Sequence, residues 1–284
     1  MPNQSAQIVA DALNYIERQL SAELRHDFAA KLDLSNIAGA TGYSKFHLHR
    51  LFRANTGQTM HSYVLRRRLT EAARQLVFSD RPLIDIALQS GYDSQQAFTA
   101  VFKAMYKLPP AEYRTRKEFY PLQFPLHLHT APQLLPQTIR PARPEDIPDW
   151  LQLVRQSVAG YPHWHEADYC RHLRACIARQ QALLIPGAQG LAAALAFSAG
   201  SGCIDFLAVQ PQYRQKGLAK TLLHKLRRDI LPRQNIFTTT FRAGDPAESG
   251  QRTALLKLGF AADDLLVEFG YPTQRFTLEG TSNV

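Results

Sequence analysis

One pattern occurs twice in this chain of 284 residues. It runs first as Ile37-Ala38 with Thr41-Gly42-Tyr43-Ser44, and again as Ile86-Ala87 with Ser90-Gly91-Tyr92-Asp93. Each copy is followed by a helix-length segment that ends in phenylalanine and a basic residue. The copies are offset by 49 residues at Gly42 and Gly91 and by 50 at Phe52 and Phe102 and at Tyr63 and Tyr113, so the register holds across both with one insertion. A repeat that stays in step this long is a duplicated structural unit. Each unit reads as a short helix, a glycine turn and a second helix, the helix-turn-helix arrangement whose second helix fits a major groove. Double-stranded DNA is the first partner to expect.

Local signals support the duplication. Asp33 and Asp80 stand at N-cap positions, Pro82 falls in a first helical turn, and Ser44 and Ser94 can cap the second helices. Between the units, Leu65, Leu69, Ala72 and Leu76 follow the spacing of a buried helical stripe. Arg66, Arg67 and Arg68 lie mostly off that stripe, which leaves them for a solvated face or for phosphate contact. A helix of about 18 to 20 residues is roughly 27 to 30 Å long. That is close to the roughly 34 Å between successive major-groove faces on one side of B-DNA, so one chain can present two reading heads to one face of the duplex.

The composition agrees. With 33 basic and 24 acidic residues the formal net charge is +9, which favours polyanions, whether nucleic acid or a phosphorylated cofactor. The length predicts two domains, each with its own core. Cys170, Cys176 and Cys203 show no CxxC pairing and no metal-ligand spacing, so no metal is expected and a reducing compartment is. The start of the chain has no basic flank, and no apolar run reaches the roughly 18 residues that span a membrane. These features predict a cytoplasmic protein with no membrane partner.

Residues 8 to 117 resemble the DNA-binding region of the AraC/XylS regulators, in particular the branch of Rob, SoxS and MarA. The first unit carries the resemblance in Gly42-Tyr43-Ser44-Lys45-Phe46-His47-Leu48-His49-Arg50-Leu51-Phe52. The second carries it in Gly91-Tyr92-Asp93-Ser94-Gln95-Gln96-Ala97-Phe98-Thr99, Phe102-Lys103 and Pro109-Pro110-Ala111-Glu112-Tyr113-Arg114. The resemblance implies that Arg50 reads bases and that Phe46 packs on the sugar and methyl surface. Lys45, His49, Gln95, Gln96, Thr99, Arg66 and Arg67 complete the implied DNA-binding set. Arginine can donate two hydrogen bonds to guanine and glutamine can pair bidentately with adenine. Two positions depart from the branch: Ala100 stands where an arginine is usual, and Lys107 stands where the family often has glycine at a helix end. The second head should read more weakly than the first. Phe52, Tyr63, Phe98, Phe102 and Tyr113 are expected in the core.

Past Lys117 the texture changes to a proline-rich stretch holding Pro121, Pro125, Pro132 and Pro136, read as a packed, extended connector in which His127 and His129 alternate along an edge strand. From Gln137 onward, strands and helices alternate as in a mixed α/β (α+β) domain with a central sheet. Its most telling segment runs from Ile204 through Leu207-Ala208-Val209 to Arg214-Gln215-Lys216-Gly217-Leu218-Ala219. There a buried strand passes through a glycine turn into a helix N-terminus, an arrangement suited to a pyrophosphate. In this frame, with Ile139-Arg140-Pro141 at the start and Leu256-Lys257-Leu258-Gly259-Phe260 near the end, residues 137 to 278 resemble the GNAT acyltransferases. The resemblance implies that Arg214, Gln215, Lys216, Gly217, Leu218 and Ala219 hold the pyrophosphate of acetyl-CoA or a related acyl-CoA. It also implies that Leu207, Ala208 and Val209 pair with the pantetheine arm. Many members donate a proton from a tyrosine at the position occupied here by Leu255. Asp205, Glu248, His163 and His165 are candidate bases for deprotonating an amine.

The resulting expectation is an all-α tandem helix-turn-helix domain at residues 6 to 117, a linker at 118 to 136 and a GNAT-like domain at 137 to 280. The functional expectation is a transcription regulator that binds promoter DNA, senses acetyl-CoA and contacts RNA polymerase. The alternative left open is an active N-acetyltransferase of a small amine, fused to its own regulator.

Overall fold

The computed structural model describes residues 4–24, 32–128, 138–157, 165–214, 216–268 and 271–280. The chain divides into two compact units. The first spans Met1–Pro132, and the second takes Gln133–Ser157 and Trp164–Val284.

The first unit is helical: α1 (Gln4–Leu24), α2 (Leu34–Thr41), α3 (Lys45–Thr56), α4 (Met60–Phe78), α5 (Leu83–Gln89), α6 (Gln95–Tyr106) and α7 (Pro110–Arg116). The α2–α3 and α5–α6 pairs are the two repeated units. Asp33 accepts from the Asn36 N–H at 2.8 Å and caps α2. Ser44 and Ser94 accept from the N–H groups of His47 and Ala97, capping α3 and α6. Gly42, at φ 73, turns the chain out of α2. Asp80 does not cap α5 as expected, because that helix begins at Leu83 behind Pro82 and has no side-chain cap. Proline disfavours helical geometry in the residue before it, so Arg81 stays extended and Asp80 falls short of the helix.

The 19-residue helix α4 joins the two pairs. It is about 28 Å long, as the sequence predicts. Its burial is not confined to one stripe, however. Tyr63, Val64, Arg66, Arg67, Leu69, Thr70, Glu71, Ala72, Ala73 and Leu76 are all buried. The reason lies beyond α7: Tyr120, Leu122 and Leu126 are 8%, 0% and 4% exposed. The Leu122 and Gln123 N–H groups both donate to the Thr70 hydroxyl, at 3.0 and 3.1 Å, and the Leu126 N–H donates to the Tyr63 hydroxyl at 3.1 Å. The stretch from 118 to 128, expected as a linker, thus closes the core of the first unit. His127 lies on no strand, and His129, Pro132 and Pro136 lie outside the described residues.

The second unit contains β1 (Arg140–Pro141), α8 (Ile147–Ser157), α9 (Glu166–Ala178), β2 (Ala182–Pro186), β3 (Leu191–Ser198) and β4 (Cys203–Val209). After these come α10 (Leu218–Lys225), β5 (Ile236–Phe241), α11 (Gln251–Lys257), β6 (Ala261–Glu268) and β7 (Tyr271–Leu278). The sheet order is β1-β2-β3-β4-β5-β7-β6. Among the described residues, only the β4/β5 pair is parallel. That pair meets at a single position, Cys203 opposite Phe237, beyond which the two strands part. The mixed α/β sheet domain read from the sequence is therefore present, with a wedge at its centre. Among the described residues, no helix is long and apolar enough to cross a membrane.

Candidate functional sites

In α3 the residues Leu48, Phe52 and Thr56 are buried, which fixes the opposite face outward. Lys45, Phe46, Arg50 and Arg53 are exposed there, and Phe46 is 90% exposed. Positions 46, 50 and 53 fall on one helix face by their spacing. An aromatic ring left in water beside three cations suits contact with a polyanion that also offers apolar surface. The Arg50 guanidinium lies 3.4 Å from His47 Nδ1, and His49 is half-buried. In α6, Phe98, Phe102, Met105 and Tyr106 are buried. Gln95, Gln96 and Ala100 are exposed and Thr99 is half-buried. The corresponding face of the second head thus carries one cation, Lys103, where the first carries three.

Two expected contacts fall away. Arg66 and Arg67 are 1% and 5% exposed and cannot present a guanidinium to a phosphate. Arg67 instead holds Glu17 of α1 through two hydrogen bonds, at 2.9 and 2.8 Å, and Glu71 at 3.0 Å. It also donates to the Gln123 carbonyl at 3.3 Å. Tyr63 donates to the same Glu17 at 2.7 Å. Burial, then Glu17, pushes the Tyr63 hydroxyl far above its usual range, so it remains a donor. Arg66 donates to Ser62 Oγ at 3.4 Å. The helix spacing had left both arginines for solvent or phosphate; both are buried, Arg67 against Glu17 of α1 and the Gln123 carbonyl.

In the second unit, β4 runs through a 3-10 turn at Pro211–Tyr213 to Arg214, Lys216 and Gly217, and then into α10. Gly217 has φ 80, and a Cβ there would meet nothing within 4 Å. The glycine is therefore needed for its left-handed backbone, and the space beside it stays open to a ligand. No side chain caps α10, so its first-turn N–H groups face outward from the turn. Tyr213 is fully buried and its hydroxyl accepts from the Ala188 N–H at 3.2 Å, which fixes the turn. Burial lowers the Arg214 guanidinium to about 10; it stays cationic at neutral pH in surroundings that favour a nearby anion. Lys216 is exposed, with its ammonium 5.3 Å from the Tyr213 ring centroid. Leu207, Ala208 and Val209 line the side of β4 where β5 has parted from it. Leu218 is buried, Ala219 is half-buried and Gln215 lies outside the described residues.

The candidate bases are otherwise engaged. Glu248 accepts, through Oε1, from the N–H groups of Gly250 at 2.6 Å and Arg252 at 3.1 Å, and so caps α11. Leu255, in the place of the tyrosine, is buried in the core. Asp205 accepts from Ser198 Oγ at 2.9 Å and lies 3.3 Å from His172 Nε2. His165 precedes α9 without capping it, and His163 lies outside the described residues. His172 was not singled out in the sequence. Its one-turn spacing from Cys176 was the available signal.

Comparison with known proteins divides the same way. A family profile described as a helix-turn-helix domain matches residues 37–116. SoxS of Escherichia coli is 38% identical over 109 residues, which cover 38% of this chain and 94% of that protein. The transcriptional regulator Rob of Salmonella typhimurium is 40% identical over 114 residues, covering 40% of this chain and 37% of Rob; the chain thus spans little more than a third of that relative. The second unit is similar to the crystal structure of a GNAT-family acetyltransferase from Bacillus cereus, 14% identical, covering 54% of this chain and 100% of that one at a TM-score of 0.41. Through its first unit the chain is a tandem helix-turn-helix protein. It belongs to the AraC-type regulator family that includes SoxS and Rob.

Proposed function

We infer that this protein is a sequence-specific DNA-binding transcription regulator whose second unit binds acetyl-CoA or a related acyl-CoA as a sensed ligand. The observation that carries the first part is the outward face of α3, where Phe46, at 90% exposure, stands beside Lys45, Arg50 and Arg53. Arg50 reads a base edge, Phe46 covers sugar and methyl surface, and Lys45 and Arg53 meet phosphates. Gln95, Gln96 and Thr99 read a second half-site with less electrostatic support.

For the second part, the residues fit an acyl-CoA by three features: the open Gly217, the uncapped start of α10 and the parted strands. Arg214, Lys216 and the first-turn N–H groups of α10 would hold the pyrophosphate, with Gln215 in the same turn. The free backbone edge of Leu207 to Val209 would pair with the amide-bearing arm. When bound, such a group supplies an activated acyl thioester. The burial of Leu255, the capping role of Glu248 and the engagement of Asp205 favour sensing over the alternative of a working N-acetyltransferase for a small amine. We assign the coupling between ligand and DNA to the docking of residues 120 to 126 on α4, with RNA polymerase as the downstream partner.

Calorimetric titration of the full chain with acetyl-CoA and CoA, repeated with Gly217→Glu, tests the ligand. Operator affinity with and without acetyl-CoA tests the coupling, and thiol release with an amine panel tests turnover. Binding that shifts operator affinity without thiol release is the expected result. Thiol release would instead establish an enzyme, and binding with no effect on DNA would remove the sensor.

A further inference from the structure

Three side chains converge where α9 faces β4. His172 and Cys176 stand one turn apart on α9, and Asp205 lies on β4. Their donor atoms all lie within 4.8 Å of one another. Cys176 Sγ is 3.4 Å from His172 Nε2, and the same nitrogen is 3.3 Å from Asp205 Oδ2. Ligands at zinc-type distances of about 2.0 to 2.3 Å around a tetrahedral ion are separated by roughly 3.3 to 3.7 Å. The two distances at His172 Nε2, 3.4 Å to Cys176 Sγ and 3.3 Å to Asp205 Oδ2, are those of tetrahedral edges, and the third edge is no longer than 4.8 Å.

Two features distinguish this group from an ordinary polar contact. A thiol–imidazole–carboxylate relay uses the two ring nitrogens in turn, one for each neighbour. Here both partners converge on Nε2, which is the geometry of donors aimed at a common point. The strand has also been shaped to bring the carboxylate there. Ala196 pairs with Phe206 and Phe197 pairs with Ile204, leaving Asp205 as the extra residue of a β-bulge. Bulges re-aim side chains. Asp205 is then held from behind by the Ser198 hydroxyl at 2.9 Å, the kind of outer contact that orients a ligating carboxylate.

We propose that His172, Cys176 and Asp205 bind one first-row transition-metal dication of the zinc type, with one coordination position left open. The thiol and imidazole select against magnesium and calcium, which take oxygen. Cys176 is 4% exposed and the His172 side chain 54%, so the open position faces solvent on the imidazole side. Binding replaces the Cys176 S–H by an S–metal bond and releases that proton to water. The ion would pin α9 to β4 independently of any acyl-CoA.

The test uses tag-free full-length protein, stripped with a chelator and then titrated with Zn²⁺ and, separately, with Co²⁺. The expected result is one equivalent per chain, a proton released on binding, and a thiolate-to-cobalt charge-transfer band with intense tetrahedral d–d absorption. Cys176→Ala should abolish the band, and His172→Ala and Asp205→Asn should weaken affinity about 10- to 100-fold. Cys170→Ala should change nothing. His172 is exposed enough for its alanine variant to keep the fold, which thermal melting of the metal-free proteins checks. Substoichiometric binding, a cobalt spectrum without the thiolate band, or unchanged affinity in His172→Ala would overturn the proposal.

Discussion

Arg50 and Arg67 carry the same group on helices of the same unit, and their surroundings give them different work. Arg50 is exposed on α3, whereas Arg67 is enclosed by Glu17, Glu71 and the Gln123 carbonyl. Arg50→Ala should therefore cost about 1 to 3 kcal/mol of specific DNA affinity with little change in melting temperature. Arg67→Ala strands Glu17 and should cost about 3 kcal/mol of folding stability, measured by urea unfolding. In the second unit, Arg140 holds Asp146 through two contacts at 2.7 Å, and that pairing keeps the carboxylate below its ordinary value of 3.8. A depressed carboxylate contributes stability above its unfolded value, and the contribution is lost as pH falls through the folded one. Asp146→Asn should destabilise the unit by about 1 to 2 kcal/mol at neutral pH, with the gap to the natural protein closing below pH 3.8. Melting curves across that range check both.

At the scale of elements, the caps were the most legible feature. Asp33, Ser44 and Ser94 act where the sequence placed them, because a cap needs only neighbours three residues away. Gly217 was legible for the same local reason. Lys107 ends α6 at φ 63, where a Cβ is strained, so Lys107→Gly should stabilise the first unit by about 0.5 to 1 kcal/mol, read from its urea midpoint. The bulge at Asp205 was not legible. It arises from the mismatch between β3 and β4, and nothing in either strand alone announces it. The metal-type grouping was missed with it, since His172 and Cys176 become informative only once a third donor from another element is seen beside them.

At the scale of the whole molecule, the first unit extends past the end of its last helix. A fragment of residues 1 to 117 lacks Tyr120, Leu122 and Leu126, each buried and each contributing about 1.5 to 3 kcal/mol. It should be less stable than a fragment of residues 1 to 128 by roughly 5 kcal/mol or more, and should lose operator binding through unfolding. Equal stability of the two fragments would show that the closing segment is dispensable.

The sequence by itself determined the duplication, the caps of α2, α3 and α6 and the glycine turns, because a cap or a turn depends on spacing within one or two turns of chain. Only the tertiary structure decided which charges are free. Arg66 and Arg67 read as solvent-facing or phosphate-binding on their own helix, and both are buried. Arg67 is held by Glu17 of a neighbouring helix and by the Gln123 carbonyl. Burying a charge is a property of everything packed around it, and the partners of Arg67 outside its own helix come from α1 and from the stretch beyond α7.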